Sequence, residues 1–523
     1  FCILWTDKGS GLMSKKRRAA VRAERMNRNA NRASRRSSRN RFGVFCLILQ
    51  TILSLAFMVV VLFLDMLPMR YLAMIALILF FLWCITLNSQ VARRKRGTIG
   101  KVFSLVVVCF LSIGTYYIAK TNDVIGMITG GSFRVDNMVV AVLADDPAEG
   151  IEDAADYTFG IQLERGAENM QAAITDIQDE LGSDIDTAEY DSIQEQAQAL
   201  HDGEVDAIIY NEAYTDVLEE GFEGYSDSVK IIYTHEIRVE MNFGGNASDD
   251  SLTKEPFTVY ISGIDVYGDV SQTSRSDVNI IAVVNPNTHQ ILLVTTPRDY
   301  YVEIPGVSEG QEDKLTHAGI YGIDASMATL GALYETDINY YVRLNFTSLI
   351  DIVDILGGVD VYSDMSFSTG WESGYEMDVQ EGWNHFNGEQ ALAFSRERKN
   401  LPDGDNQRGI HQQAVITAML KKVLSPTMLL KANSILNQVS QDVETNVSQA
   451  QLNSLIKYQL GSNAKWSIRS VAATGTASRE YCYSSGDTSL YVTIPDYDVV
   501  NDIIDLVNVV EEGGTLEDTE ELN

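Results

Sequence analysis

Three apolar runs in tandem constrain this chain more than any other feature. Residues 42–64, 71–92 and 102–119 carry no charged side chain. Each has roughly the 17–25 residues that a helix needs to cross a bilayer. A buried core helix accounts poorly for three such runs separated only by charged stretches, and a single cleavable signal peptide accounts for none of them. The flanks orient the bundle. Residues 15–41 are densely basic, as is Arg93-Arg94-Lys95-Arg96, whereas the turn at 65–70 is nearly neutral. The positive-inside rule therefore puts the N-terminus and the second loop in the cytoplasm and everything beyond about residue 120 outside. Residues 1–41 read as a basic cytoplasmic tail and 42–120 as a bundle of three transmembrane helices. Met13 heads a Ser-Lys-Lys-Arg-Arg run, so residues 1–12 are expected to lie upstream of the true start and are set aside.

Charge divides along the same line. Residues 1–120 hold 20 Lys/Arg against three acids, a net of +17, while residues 121–523 hold 20 Lys/Arg against 69 acids, a net of −49. Phosphate contacts need basic surface, so the outer part is not expected to bind nucleic acid. The basic tail, beside a membrane, reads as a topology signal or a contact for anionic lipid. A chain 45% hydrophobic and 21% charged is not disordered throughout. Cys482 is the one cysteine beyond residue 120, so the outer part is not a disulfide scaffold.

The outer part reads as two α/β domains. In residues 133–242, strands are expected at 138–143 and 205–210 and amphipathic helices at 167–181 and 192–201. This region resembles half of a bilobed solute-binding domain, shows no metal or nucleophile cluster, and is read as a structural or partner-binding accessory domain. Residues 121–132 and 241–254 read as linkers. In residues 256–512, strands are expected at 257–262, 278–285, 290–296 and 338–345, and helices at 346–356 and 406–424. Residues 513–523 read as a loose acidic tail.

Chemistry enters through the scarce arginines of this acidic region. Arg275, Arg298, Arg396, Arg398 and Arg408 sit beside expected strand or helix ends. Asn285-Pro-Asn-Thr288 is a turn signal between two strands, so 278–285 and 290–296 form a hairpin. Pairing about Asn287 sets residue 277 opposite residue 297. Arg275, Asp277, Arg298 and Asp299 then share one sheet end, and Asp265 reaches it by a short loop. Arg275 and Asp277, two apart in extended chain, point the same way, as do Arg396 and Arg398. Arg408 and Gln412 share a helix face. Guanidiniums supply bidentate donors to phosphate oxygens, and aspartates hold a divalent cation. That mixture suits a diphosphate. A network of Arg–Asp pairs closing the sheet end explains any single pair, but the whole set leaves unbalanced cations without an anion.

At these residues the sequence resembles the LytR-CpsA-Psr family of cell-wall enzymes. The stretches are 257–265 (FTVYISGID), 275–277 (RSD), 296–299 (TPRD), 314–319 (KLTHAG), 356–361 (LGGVDV), 388–398 (GEQALAFSRER) and 405–413 (DNQRGIHQQ). The three-span anchor with an added outer domain is similar to the capsule-associated branch. Ser395 and the segment 399–404 (KNLPDG) depart from the family pattern. The resemblance implies a central mixed sheet flanked by helices. It implies a membrane-anchored phosphotransferase, in the envelope of a Gram-positive bacterium, that moves a teichoic acid or capsular polysaccharide from an undecaprenyl-diphosphate carrier to a peptidoglycan hydroxyl. It gives Arg275, Asp277, Arg298 and Asp299 catalytic roles. Arg275, Arg298, Arg396, Arg398, Arg408 and Gln412 bind the diphosphate, and Asp265 and Asp277 hold Mg²⁺ or Mn²⁺.

Three rival readings stand beside this one: an extracytoplasmic sensor, a transcription regulator and a polyprenyl-diphosphate pyrophosphatase. The first lacks a cytoplasmic signalling domain, and the inferred orientation opposes the second. The third uses the same site with water as acceptor. Other residues have plain readings. His317 is expected to be structural, His411 to touch phosphate or solvent, Gly357-Gly358 to cap a helix, and Trp371 and Trp383 to pack in a core or loop rather than stack on sugars.

Overall fold

The computed structural model describes residues 9–91, 96–129, 133–163, 166–240, 251–264, 270–402, 404–429 and 443–516. The chain divides into two compact units, Phe1–Asn122 and Asp123–Asn523.

The first unit contains helices Gly9–Leu64, Met69–Val91 and Arg96–Thr129. Within them Phe42–Leu64, Met69–Ser89 and Thr98–Tyr116 are long and apolar enough to cross a membrane. The basic tail and first span form one continuous helix, and the third helix runs on through residues expected as linker. Lys- and Arg-rich sequence without Pro is compatible with helix, so the first span continues unbroken from its basic flank. Inside the bundle, Gln50 Oε1 accepts from Thr86 Oγ1 at 2.9 Å and Ser104 Oγ at 2.8 Å, joining the three helices through buried polar groups.

The second unit begins with a five-stranded sheet, ordered Asp186–Glu189, Thr158–Ile161, Ala207–Asn211, Phe133–Leu143, Val229–Glu240. The first two pairings are parallel and the rest antiparallel. Met138, Val140 and Val142 pack on one face with helix Ala167–Leu181, and Val139 and Ala141 on the other with helix Ile193–Asp202. Burial on both faces makes the strand continuously apolar rather than alternating. The long strand Val229–Glu240 was not expected, because its Lys, His, Glu and Arg residues break the apolar pattern on an edge.

The remainder is built on a six-stranded mixed sheet. Its order is Val443–Thr445, Ile338–Leu344, Phe257–Gly263, Val278–Asn285, Gln290–Thr296, Ser467–Ala472. Ile338–Leu344 pairs parallel with Phe257–Gly263, and Ser467–Ala472 with Gln290–Thr296; the other neighbours are antiparallel. One face packs on helices Ile323–Tyr334 and Tyr497–Glu511 around Tyr260, Ile281 and Leu292. The other packs on helix Asp405–Val423, where Ile416 and Leu420 meet Ile280 and Leu293. Helices Phe346–Ile355 and Gly388–Arg396 lie against each other, and Gly388–Arg396 lies against Asp405–Val423. Capping boxes at Asn345 and Asn387 start the first two. Residues 513–516, expected as loose tail, instead pack into the fold: Leu516 is buried, and its N–H donates to Gln290 Oε1 at 2.7 Å.

Candidate active site

The site forms where four segments end together. The hairpin sets Asn279 opposite Thr296, so its register, carried outward, brings Asp277 opposite Arg298, one residue from the expected pairing. Arg298 Nη1 lies 3.0 Å from Asp277 Oδ1. Thr316 buckles the two segments together. Its N–H donates to Arg298 O at 2.8 Å, its carbonyl accepts from Ser276 N–H at 3.2 Å, and its hydroxyl donates to Asp277 Oδ1 at 3.2 Å. Gly319 permits the close approach of this turn. A Cβ there would stand 2.7 Å from Ser274 O and 2.8 Å from Ser276 N.

Arg275, Asp277, Arg298, Arg396, Arg398, Arg408 and Gln412 all line one cavity of about 530 Å³. Apolar side chains line the same cavity, among them Ile264, Leu344, Leu349, Leu392, Val415 and Ile416. Helix Asp405–Val423 supplies Arg408 and Gln412 one turn apart, as expected. Arg396 and Arg398 arrive differently from the expectation. Arg396 is the last residue of helix Gly388–Arg396, not extended chain, and its guanidinium carbon sits 4.2 Å from the Phe346 ring centroid. Arg398 follows the extended residue Glu397, which is buried and fixes the turn. Glu397 accepts from the N–H groups of Gly370 (2.6 Å), Arg398 (3.0 Å) and Asn400 (3.1 Å) and from Ser373 Oγ (2.9 Å).

The electrostatics follow from this crowding. Burial alone would raise the Asp277 carboxyl, but Arg298, Arg275 and Arg408 outweigh it and hold the group below the usual carboxylate range. Asp299 is likewise raised by burial and lowered further by Lys314 and Arg298. Its Oδ1 lies 2.7 Å from Lys314 Nζ and its Oδ2 3.7 Å from Arg298 Nε, so it braces Lys314 more closely than Arg298. Both aspartates are therefore ionised near neutrality. Asp265 lies outside the described residues. Among the described residues no group of three or more His, Cys, Asp or Glu is placed to hold a metal. The ionised Asp277 at the cavity wall is nevertheless the oxygen donor that Mg²⁺ takes, usually with one or two carboxylates beside substrate phosphates.

Lys314 and Glu220 belong to this network and were not singled out from the sequence. Lys314 stands inside the stretch 314–319, which carried the signal. Glu220 carried none, because it comes from the accessory domain. His317 is structural: fully buried, it contacts Asp313 Oδ1 (2.7 Å) and Ser484 Oγ (2.8 Å). His411 meets neither phosphate nor solvent. It is 1% exposed and packs against both Phe394 and Phe367, with ring centroids 4.1 and 5.0 Å away and the two Phe rings 5.8 Å from each other. Gly357 and Gly358 take positive φ after helix Phe346–Ile355, as a helix end requires. Trp371 and Trp383 are not packed in a core. They are 75% and 70% exposed, Trp371 in a short turn at the cavity and Trp383 edge-on to Tyr362 across a two-stranded ribbon.

Comparison with known proteins converges on one group. The LytR_cpsA_psr family description matches residues 221–499. A polyisoprenyl-teichoic acid–peptidoglycan teichoic acid transferase TagU of Bacillus cereus (strain AH820) is 34% identical over 232 residues, 44% of this chain and 73% of that protein. The TagU of Enterococcus faecalis (strain ATCC 700802 / V583) is 39% identical over 197 residues, 37% of this chain and 63% of that protein. The crystal structure of B. subtilis TagV is 26% identical and covers 50% of this chain and 99% of that one, with a TM-score of 0.42.

Proposed function

The chain belongs to the LytR-CpsA-Psr family, and from that premise we propose that it transfers an anionic wall glycopolymer from a polyprenyl-diphosphate carrier to a peptidoglycan hydroxyl. The observation that carries this reading is the joint make-up of one cavity. Five arginines and Gln412, drawn from separate segments, share its lining with Ile, Leu and Val. A diphosphate ester of a long prenyl chain needs both halves. Teichoic acid is the polymer named for the relatives, and we assign this chain the same class of substrate. The three apolar helices support a membrane enzyme, and their basic flanks support an orientation with the N-terminus cytoplasmic and the rest of the chain facing the wall, where donor and acceptor meet.

The step is phosphoryl transfer. The acceptor oxygen forms a bond to the sugar-linked phosphorus, the bond from that phosphorus to the bridging oxygen breaks, and prenyl phosphate leaves. Positioning and charge neutralisation supply most of the acceleration in such reactions. Arg298, fixed by Asp277, and Arg275 bind the phosphate oxygens from the hairpin end. Arg396 and Arg398 bind them from the turn after the Gly388–Arg396 helix, and Arg408 and Gln412 from the long helix. Lys314 and Asp299 set the orientation of Arg298. Asp277, with Asp265, would hold a divalent cation, which supplies further neutralisation of phosphate charge when bound. The apolar lining receives the prenyl chain and excludes water from one side of the diphosphate.

The test is turnover of a prenyl-diphosphate-linked saccharide with purified peptidoglycan. Polymer joined to the acceptor, with prenyl phosphate released in equal amount, supports transfer. Free polymer with the same release shows water as the acceptor and a hydrolase. No release from the wild-type chain contradicts both.

A further inference from the structure

The accessory domain reaches the arginine cluster. Its helix Thr215–Gly221 presents Asp216 and Glu220, four residues apart and on one face. Asp216 Oδ2 lies 2.9 Å from Arg275 Nη2, and Glu220 Oε1 lies 2.7 Å from Arg275 Nη1. Glu220 Oε2 lies 2.7 Å from Lys314 Nζ, and Lys314 Nζ lies 2.7 Å from Asp299 Oδ1. Charges of opposite sign thus alternate from the accessory helix to the cavity wall: Asp216, Arg275, Glu220, Lys314, Asp299, Arg298. The backbone is fastened as well. Val135 N–H donates to Ser271 O at 3.0 Å, Thr273 N–H returns to Val135 O at 2.8 Å, and Thr273 Oγ1 donates to the buried Asp136 at 2.5 Å. The segment that carries Arg275 is therefore laced to an accessory strand two residues before Arg275 itself. Asp216 and Glu220 both precede residue 221, where the family match begins.

We propose that Asp216 and Glu220 are positioning residues for the transfer reaction, so that the accessory domain is a working wall of the site and not a spacer. The inference rests on the diphosphate reading above. Exposed ion pairs contribute little, and Asp216 is 59% accessible, but the Glu220 pairs are largely buried: the side chains of Arg275 and Lys314 are 13% and 3% accessible and that of Glu220 25%. Burial would raise the Glu220 carboxyl, yet Lys314, His317 and Arg275 hold it below the usual range, so it stays an anion between two cations. A guanidinium has five N–H donors. Asp216 and Glu220 take one from each Nη, Nε is buried, and the second N–H of each Nη is left for phosphate oxygens in the cavity that Arg275 lines. A long side chain pinned before substrate arrives gives up its rotamer freedom in advance, and the diphosphate meets a fixed donor set. The rival arrangement, a latch that withholds Arg275 from substrate, has the opposite signature, because breaking it would tighten binding.

The experiment uses the full chain in detergent with Mg²⁺ and farnesyl diphosphate as probe. It reads calorimetric binding, the kcat and KM of phosphate release, and the melting temperature. Glu220→Gln is expected to lower kcat/KM about tenfold or more, with Glu220→Asp recovering part of the loss. Asp216→Asn, at a half-exposed carboxylate that the fold does not need, is expected to lose about threefold. In an Arg275→Ala background, the Glu220→Gln loss is expected to shrink to less than about half, because one of the two cations that Glu220 holds is gone and only the Lys314 route is left. Wild-type turnover in both single variants, a fall in KM, or an undiminished Glu220→Gln loss without Arg275 overturns the proposal while leaving the diphosphate reading intact. A wild-type chain that neither binds nor turns over the probe overturns both.

Discussion

The accessory and catalytic domains each bury a mixed sheet between helices, five strands in one and six in the other, yet their sheet ends differ. In the accessory domain, helices Ala167–Leu181 and Ile193–Asp202 close on Gly182 and Gly203 in the left-handed conformation, and those ends serve to turn the chain. In the catalytic domain, the corresponding ends carry Arg275, Arg298 and Arg398 into a shared cavity. Architecture is common to both; chemistry is set by what stands at the ends of the elements. The accessory domain enters the chemistry by one helix, which offers carboxylates where the catalytic domain offers cations.

The sharpest way to break this contrast is Arg298→Ala. The variant should keep its fold and lose about a hundredfold or more in prenyl-phosphate release, measured by steady-state kinetics beside a circular dichroism spectrum. Full turnover would remove Arg298 from the site. A smaller effect is expected from paired glycine substitutions. Gly319→Ala pushes a Cβ against the backbone that carries Arg275 and should cost about tenfold in kcat/KM. Gly182→Ala, at an accessory helix end with open space around it, should lower the melting temperature and leave turnover within about twofold. Equal effects on turnover would erase the distinction between the two sheet ends.

The last effect concerns stability rather than turnover. Burial against Phe367 and Phe394 lowers the His411 pKa to about 4 from an ordinary value of 6.5. Between those values the unfolded chain takes up a proton that the folded chain refuses, so stability falls as pH drops through that window and levels off below it. The difference is on the order of 3 kcal/mol. His411→Phe should remove this part of the slope in urea titrations at pH 7 and pH 4.5, and an unchanged slope would contradict the buried, neutral imidazole.

What the sequence revealed, and what it hid, follows the range of the interactions. The strands Val278–Asn285 and Gln290–Thr296 and the helix Ala167–Leu181 have the expected bounds, because local periodicity and a turn signal define them. The Asp277–Arg298 pair was legible to within one residue of register, since a hairpin links positions close in the chain. The meeting of Arg396, Arg398 and Arg408 with Arg275 came from family resemblance, and the structure adds the packing of helices against the sheet that produces it. Glu220 was not legible at all. It lies 55 residues from Arg275, and an acidic residue among so many acids carries no signal of its own. His411 was misjudged because a polar residue on a cationic helix gives no sign of the two aromatic rings, distant in sequence, that close over it.

The central claim is that cations from separate segments form one seat for a diphosphate. A crystal structure of the unit Asp123–Asn523 soaked with a short prenyl diphosphate tests it most directly. The account predicts both phosphates among Arg275, Arg298, Arg396, Arg398 and Arg408, with the prenyl chain along Leu349, Leu392, Val415 and Ile416. Phosphates bound elsewhere, or those arginines turned onto separate surfaces around an empty cavity, would contradict it.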